Sequence, residues 1–424
     1  MASFIAQFRQ AAPYLNLYHQ QVFVISFDGH VVDAPHFPRL MADIALLSSL
    51  GIRLVLVAGM RLQINRCLQI QNLTSHYAQQ WRITDKNALN CAKAACGQIN
   101  SDIQALLMRE QNNIRVCTGN FITAKPVGVR QGVDFLSTGE VRRVAVTAIE
   151  NLLQHNIVLV PPLGYSPTGE IFNLSYGEVA ASVAQALKAE KWLCLPENHQ
   201  WFANTTELSL SEAQQWQVTD AENDKLRHLA IKSCQNGVKR VHLLNAHCDG
   251  VLLQELFRRD GAGQGNSLML SQASYEDMRT ATIDDVGGIL NLIRPLEQAG
   301  VLVRRSRRHV EMEIQHFVVQ HRDNQVIACA ALYPYPDNKM GELACLVVHN
   351  DYQNQGRGDV LLRFMQRHAQ DRGLEQLFVL TTQTAHWFLE RGFKPMDLHQ
   401  LPLVRQSLYN YQRSSQIFIK TLRT

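Results

Sequence analysis

The chain has 424 residues and a formal net charge of +4. A basic excess this small and dispersed leaves no electrostatic footprint for a nucleic acid or an anionic membrane, so neither is expected as a partner. At roughly 150 residues per domain the length asks for two or three cores. The nine cysteines include no Cys-x-x-Cys pair and read as reduced core residues of a cytoplasmic protein. The histidines are scattered without metal-ligand spacing, so no metal is expected, and no apolar run reaches the roughly 18 residues of a membrane span.

In chain order, Phe4, Phe8, Ala11 and Ala12 mark a short amphipathic helix ahead of Pro13, followed by Tyr14 and Tyr18. Its apolar stripe packs either on its own chain or between subunits. Val22–Phe27 reads as a strand ending at Asp28-Gly29, Pro38–Ser49 as a helix, and Arg53–Val57 as a second strand, an order that implies parallel pairing. A long helix is expected from Asp85 to Glu110 and a hairpin over Val116–Val129 about Gly119-Asn120. Strands at Ile157–Pro161, Lys191–Leu195 and Val241–Leu244, with a helix at Glu178–Lys188, complete an open α/β sandwich. Asp260 to Asn266, rich in glycine, is the best linker candidate by composition.

Beyond it, Thr282 or an aspartate caps a helix running to Pro295. Strands follow at His316–Gln320 and Val326–Tyr333 around the turn Asp323-Asn324. The run Leu343, Ala344, Cys345, Leu346, Val347, Val348 is apolar enough for a strand buried on both faces. After it, Gln353-Asn354-Gln355-Gly356-Arg357-Gly358 leads into a helix through Val360, Leu361, Phe364, Met365 and His368. Glycines at a helix N-terminus leave backbone N–H groups free for an anion, which makes this turn a pyrophosphate cradle. A further strand (Leu377–Thr381) and a short helix (Ala385–Arg391) closed by Gly392 come next.

The pattern Gln353-x-x-Gly356-x-Gly358 resembles the acetyl-CoA loop of the GNAT acetyltransferases, in which the preceding strand, here Cys345 to Val348, binds the pantetheine arm. Over nearly its full length the chain resembles the bacterial two-domain N-acetylglutamate synthases. The stretches carrying the likeness include Leu46–Gln63, Ala281–Arg308, Gly341–Val348, Leu377–Phe393 and Tyr409–Ser415. The resemblance implies an α/β chain with an N-terminal helix (1–20), an amino-acid-kinase-like open α/β sandwich (21–270), a linker (271–280) and a GNAT domain (281–424). It also implies acetyl-CoA as co-substrate, L-glutamate as acceptor in the first step of arginine biosynthesis, and a homo-oligomer, hexameric in relatives. L-Arginine is implied as an effector bound near Tyr14, Glu255, Gly261 and Gly263, although Gln264 stands where the family has threonine.

An active amino-acid kinase needs a lysine and paired glycines after its first strand. This chain has Ser26 and Asp28 there, and Asn173–Glu178 lacks the ordering aspartate, so phosphoryl transfer is not expected. Acetyl transfer to an amine needs a base, a polarised thioester carbonyl and a proton for the leaving thiolate. Glu342 matches the family's general base, the other reading being a plain carboxylate at a strand start. Backbone N–H groups near Cys345–Val347 serve the carbonyl, and Cys345 itself reads as a packed residue rather than a nucleophile. For the leaving thiolate the sequence offers Thr381, with Tyr409 and Tyr411 as alternatives. The acceptor's carboxylates ask for cationic forks, and the resemblance assigns Arg305, Leu380, Arg413 and Ser415 to them. The cluster Arg304, Arg305, Arg307, Arg308 reads equally as a solvated basic edge. Two other functions stay open, a GNAT enzyme for a different amine and a non-catalytic amino-acid or CoA sensor.

Overall fold

Alternating burial decides the first unit. In β1 (Val22–Phe27), Phe23, Ile25 and Phe27 join one apolar cluster and Val24 the cluster on the other face, so the strand is covered on both sides. The computed structural model describes residues 4–111, 113–197, 205–218, 220–258, 261–271, 277–322, 325–353 and 356–422. The chain divides into two compact units, Met1–Ala273 and Ser274–Thr424.

The first unit begins with α1 (Phe4–Tyr18), which continues through Pro13 rather than ending before it. Tyr14 and Tyr18 are buried, and Tyr18 packs on Phe23 and Phe257 at ring separations of 5.2 and 6.1 Å, so this half of the helix packs on its own chain. That burial acts against the roughly 3 kcal/mol a helical proline costs. After β1 come α2 (Gly29–Val32), α3 (Phe37–Ser49), β2 (Arg53–Ala58), α4 (Arg61–Ile70) and α5 (Lys86–Glu110). The sequence reading had not identified α4. Asp85 caps α5 by accepting the Ala88 N–H at 2.7 Å.

The remaining elements are β3 (Val116–Thr118), β4 (Ile122–Pro126), β5 (Gly139–Val144), β6 (Ile157–Leu159), β7 (Leu163–Tyr165), β8 (Ile171–Asn173) and α6 (Tyr176–Ala186). They continue with β9 (Lys191–Leu195), β10 (Glu207–Ser209), α7 (Ala221–Gln235), β11 (Arg240–Leu244), α8 (Val251–Phe257) and β12 (Ser267–Ser271), besides shorter pieces. The eight-stranded sheet has the order β10-β12-β11-β9-β1-β2-β6-β3, and a four-stranded sheet has β8-β7-β4-β5. Among the described residues, only β11 and β12 pair antiparallel in the larger sheet.

Two expectations are corrected here. Val116–Val129 is not a hairpin, because β3 pairs in parallel with β6 while β4 pairs with β5 in the other sheet. The Gly119-Asn120 signal marks a change of sheet. The segment from Gly261 to Asn266 is not the link between units but a turn within the first, from α8 to β12. Gly261 and Gly263 take positive φ (61° and 82°), and Ala262 is buried. Glycine here serves a tight backbone rather than a loose one.

The second unit contains β13 (Asp277–Thr280), α9 (Val286–Gln298), α10 (Arg307–Met312), β14 (Phe317–Arg322), β15 (Gln325–Tyr335), β16 (Met340–Val348) and α11 (Arg357–Asp371). It ends with β17 (Gln376–Thr381), α12 (Ala385–Glu390), β18 (Lys394–Pro395), α13 (Leu403–Ser407) and β19 (Gln416–Thr421). The sheet order is β13-β14-β15-β16-β17-β19-β18. The segment expected as linker, 271–280, therefore carries the last residue of β12 and all of β13. Its middle and the turn Asp323-Asn324 lie outside the described residues. The start of α9 is fixed by Asp285, which takes the Thr282 N–H at 2.7 Å, Arg279 Nη1 at 2.8 Å and His321 Nε2 at 2.8 Å. Burial alone would raise its pKa, but these donors hold it down at about 2.

Candidate active site

The site of the second unit begins where two strands part. β16 and β17 pair in parallel only from Met340 opposite Gln376 to Glu342 opposite Phe378. On its other side β16 stays paired with β15 as far as Val348 opposite Ala328. Among the described residues, the β17-facing edge of β16 has no strand partner from Leu343 onward, and backbone N–H groups on such an edge suit an extended amide-bearing ligand. Leu343–Val348 is correspondingly not buried throughout, since Ala344, Leu346 and Val348 are half-buried. Cys345 has φ of 49°, and the ladder slips by one residue between Cys329 and Ala331, a β-bulge at the opening. The Cys345 thiol is pushed up to about 11, chiefly by burial, and so stays protonated at neutral pH.

Below the opening, Glu342 is buried and held by both arms of Arg405, with Nε donating to Oε2 at 2.6 Å and Nη2 to Oε1 at 3.0 Å. Arg405 lies on α13. Burial alone would lower the pKa of Arg405, but the bond to Glu342 raises it. Arg305 is half-buried beside Cys345 and Tyr333, while Arg304, Arg307 and Arg308 are exposed, so one of the four points inward. Tyr333 donates to Glu313 at 2.6 Å. Leu380 packs in a small cluster with Tyr335, Phe378 and Tyr409.

Arg413 lies on a 3₁₀ turn, not on the last strand, and its Nη2 donates to the Gly300 and Val301 carbonyls at 3.1 and 2.7 Å. The Ser415 carbonyl accepts from Tyr409 at 2.8 Å. Thr381 Oγ1 lies 2.8 Å from Thr384 Oγ1 and accepts the Thr384 N–H at 3.0 Å. Sequence reasoning missed Arg405. Its signal was a lone cation in the apolar stretch Leu401-Pro402-Leu403-Val404.

Gln353 Nε2 donates to the Val348 carbonyl at 3.0 Å, tying the turn to the end of β16. Gly356 is the N-cap of α11 with φ of 75° and provides no side-chain cap to the start of this 15-residue helix. Gly358 also has a packing role. A Cβ there would stand 3.2 Å from Trp387 Cζ2, so it admits the indole. Arg357 lies over the Tyr352 ring at 5.1 Å. Asn354 and Gln355 lie outside the described residues.

In the first unit the corresponding turn is filled from within. Ser26 is buried and accepts from Trp192 Nε1 at 2.9 Å, so no lysine would fit there without displacing the indole. Asp28 caps the four-residue α2 by accepting the His30 N–H at 3.0 Å. Glu255 is buried with both oxygens engaged, Oε1 by His242 Nδ1 at 2.6 Å and Oε2 by the Ala262 N–H at 2.8 Å. A Cβ on Gly261 would meet Glu255 Oε2 at 2.5 Å. Buried Lys191 reaches His242 Nε2 at 3.3 Å. Burial and this ammonium push His242 down to about 4. Glu255, which burial would raise, is held at about 2 by its donors. A neutral imidazole therefore donates to an ionised carboxylate. Tyr14 stacks on Tyr18 at 6.0 Å, Tyr18 lies under Lys191 at 5.2 Å, and Gly263 stands in the turn after α8.

A glycine-capped helix beside a parted strand pair, on a mixed sheet of this order, is the architecture of an acyl-CoA-dependent N-acetyltransferase, and this chain joins it to a kinase-type α/β unit. Family models agree, with the amino acid kinase family matching residues 21–197 and the acetyltransferase (GNAT) domain residues 313–395. An amino-acid acetyltransferase of Pseudomonas fluorescens (strain Pf0-1) is 45% identical over 437 residues, covering 100% of both chains. That of Ectopseudomonas mendocina (strain ymp) is 43% identical over 436 residues with the same coverage. The chain belongs to the bacterial amino-acid acetyltransferase family. Among solved structures it is similar to N-acetylglutamate synthase from Neisseria gonorrhoeae, 36% identical with 100% of both chains covered. The TM-score is 0.91 for the complex with coenzyme A and L-arginine and 0.64 for that with coenzyme A and N-acetyl-glutamate.

Proposed function

We infer that this chain transfers the acetyl group of acetyl-CoA to the α-amino group of L-glutamate. The observation that carries the reading is buried Glu342 held in the fork of Arg405 where β16 and β17 part, with half-buried Arg305 beside Cys345 of the same strand. An acceptor with two carboxylates needs such cations, and an amine nucleophile needs a carboxylate near them. The neisserial synthase complexed with coenzyme A and N-acetyl-glutamate, a full-length match, supports the same substrates.

In this reading Arg405 has two partners in turn. A substrate carboxylate that takes its fork releases Glu342, which then accepts the ammonium proton directly or through water. Arg305, Arg413, Ser415 and Leu380 hold the remainder of the acceptor. N–H groups of Cys345–Val347 polarise the thioester carbonyl, and the Thr381 hydroxyl protonates the leaving thiolate. The turn from Gln353 to Gly358 and the open end of α11 take the pyrophosphate. For the first unit we propose regulation and assembly without phosphoryl transfer, supported by Ser26 under Trp192 and by Asp28 occupying its own helix end. L-Arginine would bind there by competing with His242 for Glu255.

The test is thiol release from acetyl-CoA with and without L-glutamate, with Glu342→Gln as comparator and L-arginine as titrant. Glutamate-dependent turnover that collapses in the variant is expected. A protein that binds acetyl-CoA yet releases no thiol with glutamate would sink the reading in favour of another amine or a sensor.

A further inference from the structure

We propose that the first unit holds one divalent transition-metal ion of the zinc class on Asp28, His30 and Glu197, facing the cavity of the former kinase cleft. Asp28 follows β1 directly, His30 lies in α2, and Glu197 lies two residues beyond β9, the parallel neighbour of β1 with Phe27 opposite Leu195. The three side chains thus converge at the carboxyl edge of adjacent parallel strands, where open α/β sheets hold their ligands. His30 Nδ1 is 2.8 Å from Asp28 Oδ1 and 2.9 Å from Glu197 Oε2, and one ligand atom from each residue lies within 4.8 Å of the others.

A tetrahedral site with metal–ligand distances of about 2.1 Å needs ligand atoms about 3.4 Å apart. The cluster must therefore open by roughly half an ångström. His30 and Glu197 are free to do so, with side chains 40% and 54% exposed, while Asp28 is pinned by its cap. An imidazole that binds the ion through Nδ1 gives up any proton on that nitrogen to solvent.

One further feature favours a cation here. A cavity of about 780 Å³ borders all three residues and leaves the fourth coordination position to water, the arrangement of open zinc sites. One imidazole and two carboxylates suit zinc, cobalt or manganese. The site has no part in acetyl transfer, so its fate and that of the proposed function are separable.

The experiment is equilibrium dialysis of the chelator-stripped full chain against Zn²⁺ alone, with Co²⁺ absorption as a second probe, on wild type, Glu197→Gln, His30→Ala and the remote control His155→Ala. One zinc per chain is expected in wild type and control. Each site variant should bind at least about 10-fold more weakly, the minimum loss when even supporting residues of metal ligands are removed. Zinc should raise the thermal midpoint of wild type but not of His30→Ala. Glu197→Gln preserves size at an exposed position, so its result does not depend on a folding defect. No stoichiometric zinc in wild type, or zinc bound by both site variants within threefold of wild type, overturns the proposal.

Discussion

Each unit carries a strand that runs into a glycine turn and a helix, and the two turns have opposite fates. In the second, Gly356 caps α11 with no side chain. In the first, Asp28 folds back onto α2 and Trp192 donates to Ser26 beneath it, so the same local plan is closed by its own residues. What separates an anion site from a structural turn is thus not the glycine but whether the helix end is already answered by a carboxylate.

The strongest way to break that comparison is at the open cleft. Glu342→Gln should lower kcat for thiol release by about 10²- to 10⁴-fold, the range for losing a positioned base, with acetyl-CoA affinity retained. A variant within threefold of wild type would remove Glu342 from the chemistry.

Asp285 sharpens the contrast, because it is a capping carboxylate set away from the glycine turn. Its folded pKa of about 2 lies below the usual 3.8. Its stabilisation is therefore complete above pH 3.8 and drains away as pH falls toward 2, about 2 kcal/mol at 1.36 kcal/mol per unit. Asp285→Asn should cost about 1.5–3 kcal/mol at neutral pH and flatten the acid limb of an unfolding titration.

A smaller effect is expected at Gly358→Val, whose side chain must push Trp387 aside. The KM for acetyl-CoA should rise about tenfold, roughly 1.4 kcal/mol, with little change in kcat. Smallest is Asp28→Ala, which strips the cap from α2. It should lower stability by about 1 kcal/mol and leave acetyl transfer unchanged, as chemical denaturation and the thiol assay would show.

Much of this was legible beforehand because buried parallel strands are continuous apolar runs. Val22–Phe27, Lys191–Leu195 and the helix from Asp85 to Glu110 were read nearly as found, as were the glycine turn and the helix after it. Pairing was less legible, because β3 and β4 look like a hairpin until their separate partners are known. The composition of 260–266 resembled a linker because glycine serves tight turns and loose ones alike. Arg405 stayed hidden for a different reason, since its partner Glu342 lies 63 positions away and no spacing connects them.

The bulge at Cys345 has a consequence for direction. Ala344 and Cys345, consecutive in the chain, belong to the same apolar cluster, whereas Leu343, Leu346 and Val348 belong to the opposite one. The extra residue works as a phase shift, and parity before it is inverted after it. In an uninterrupted ladder Leu346 and Val348 would exchange faces with Cys345 and Val347. The count of residues in one strand therefore decides toward which side of the sheet the chain departs for Gly356, and so on which face a cofactor can be read.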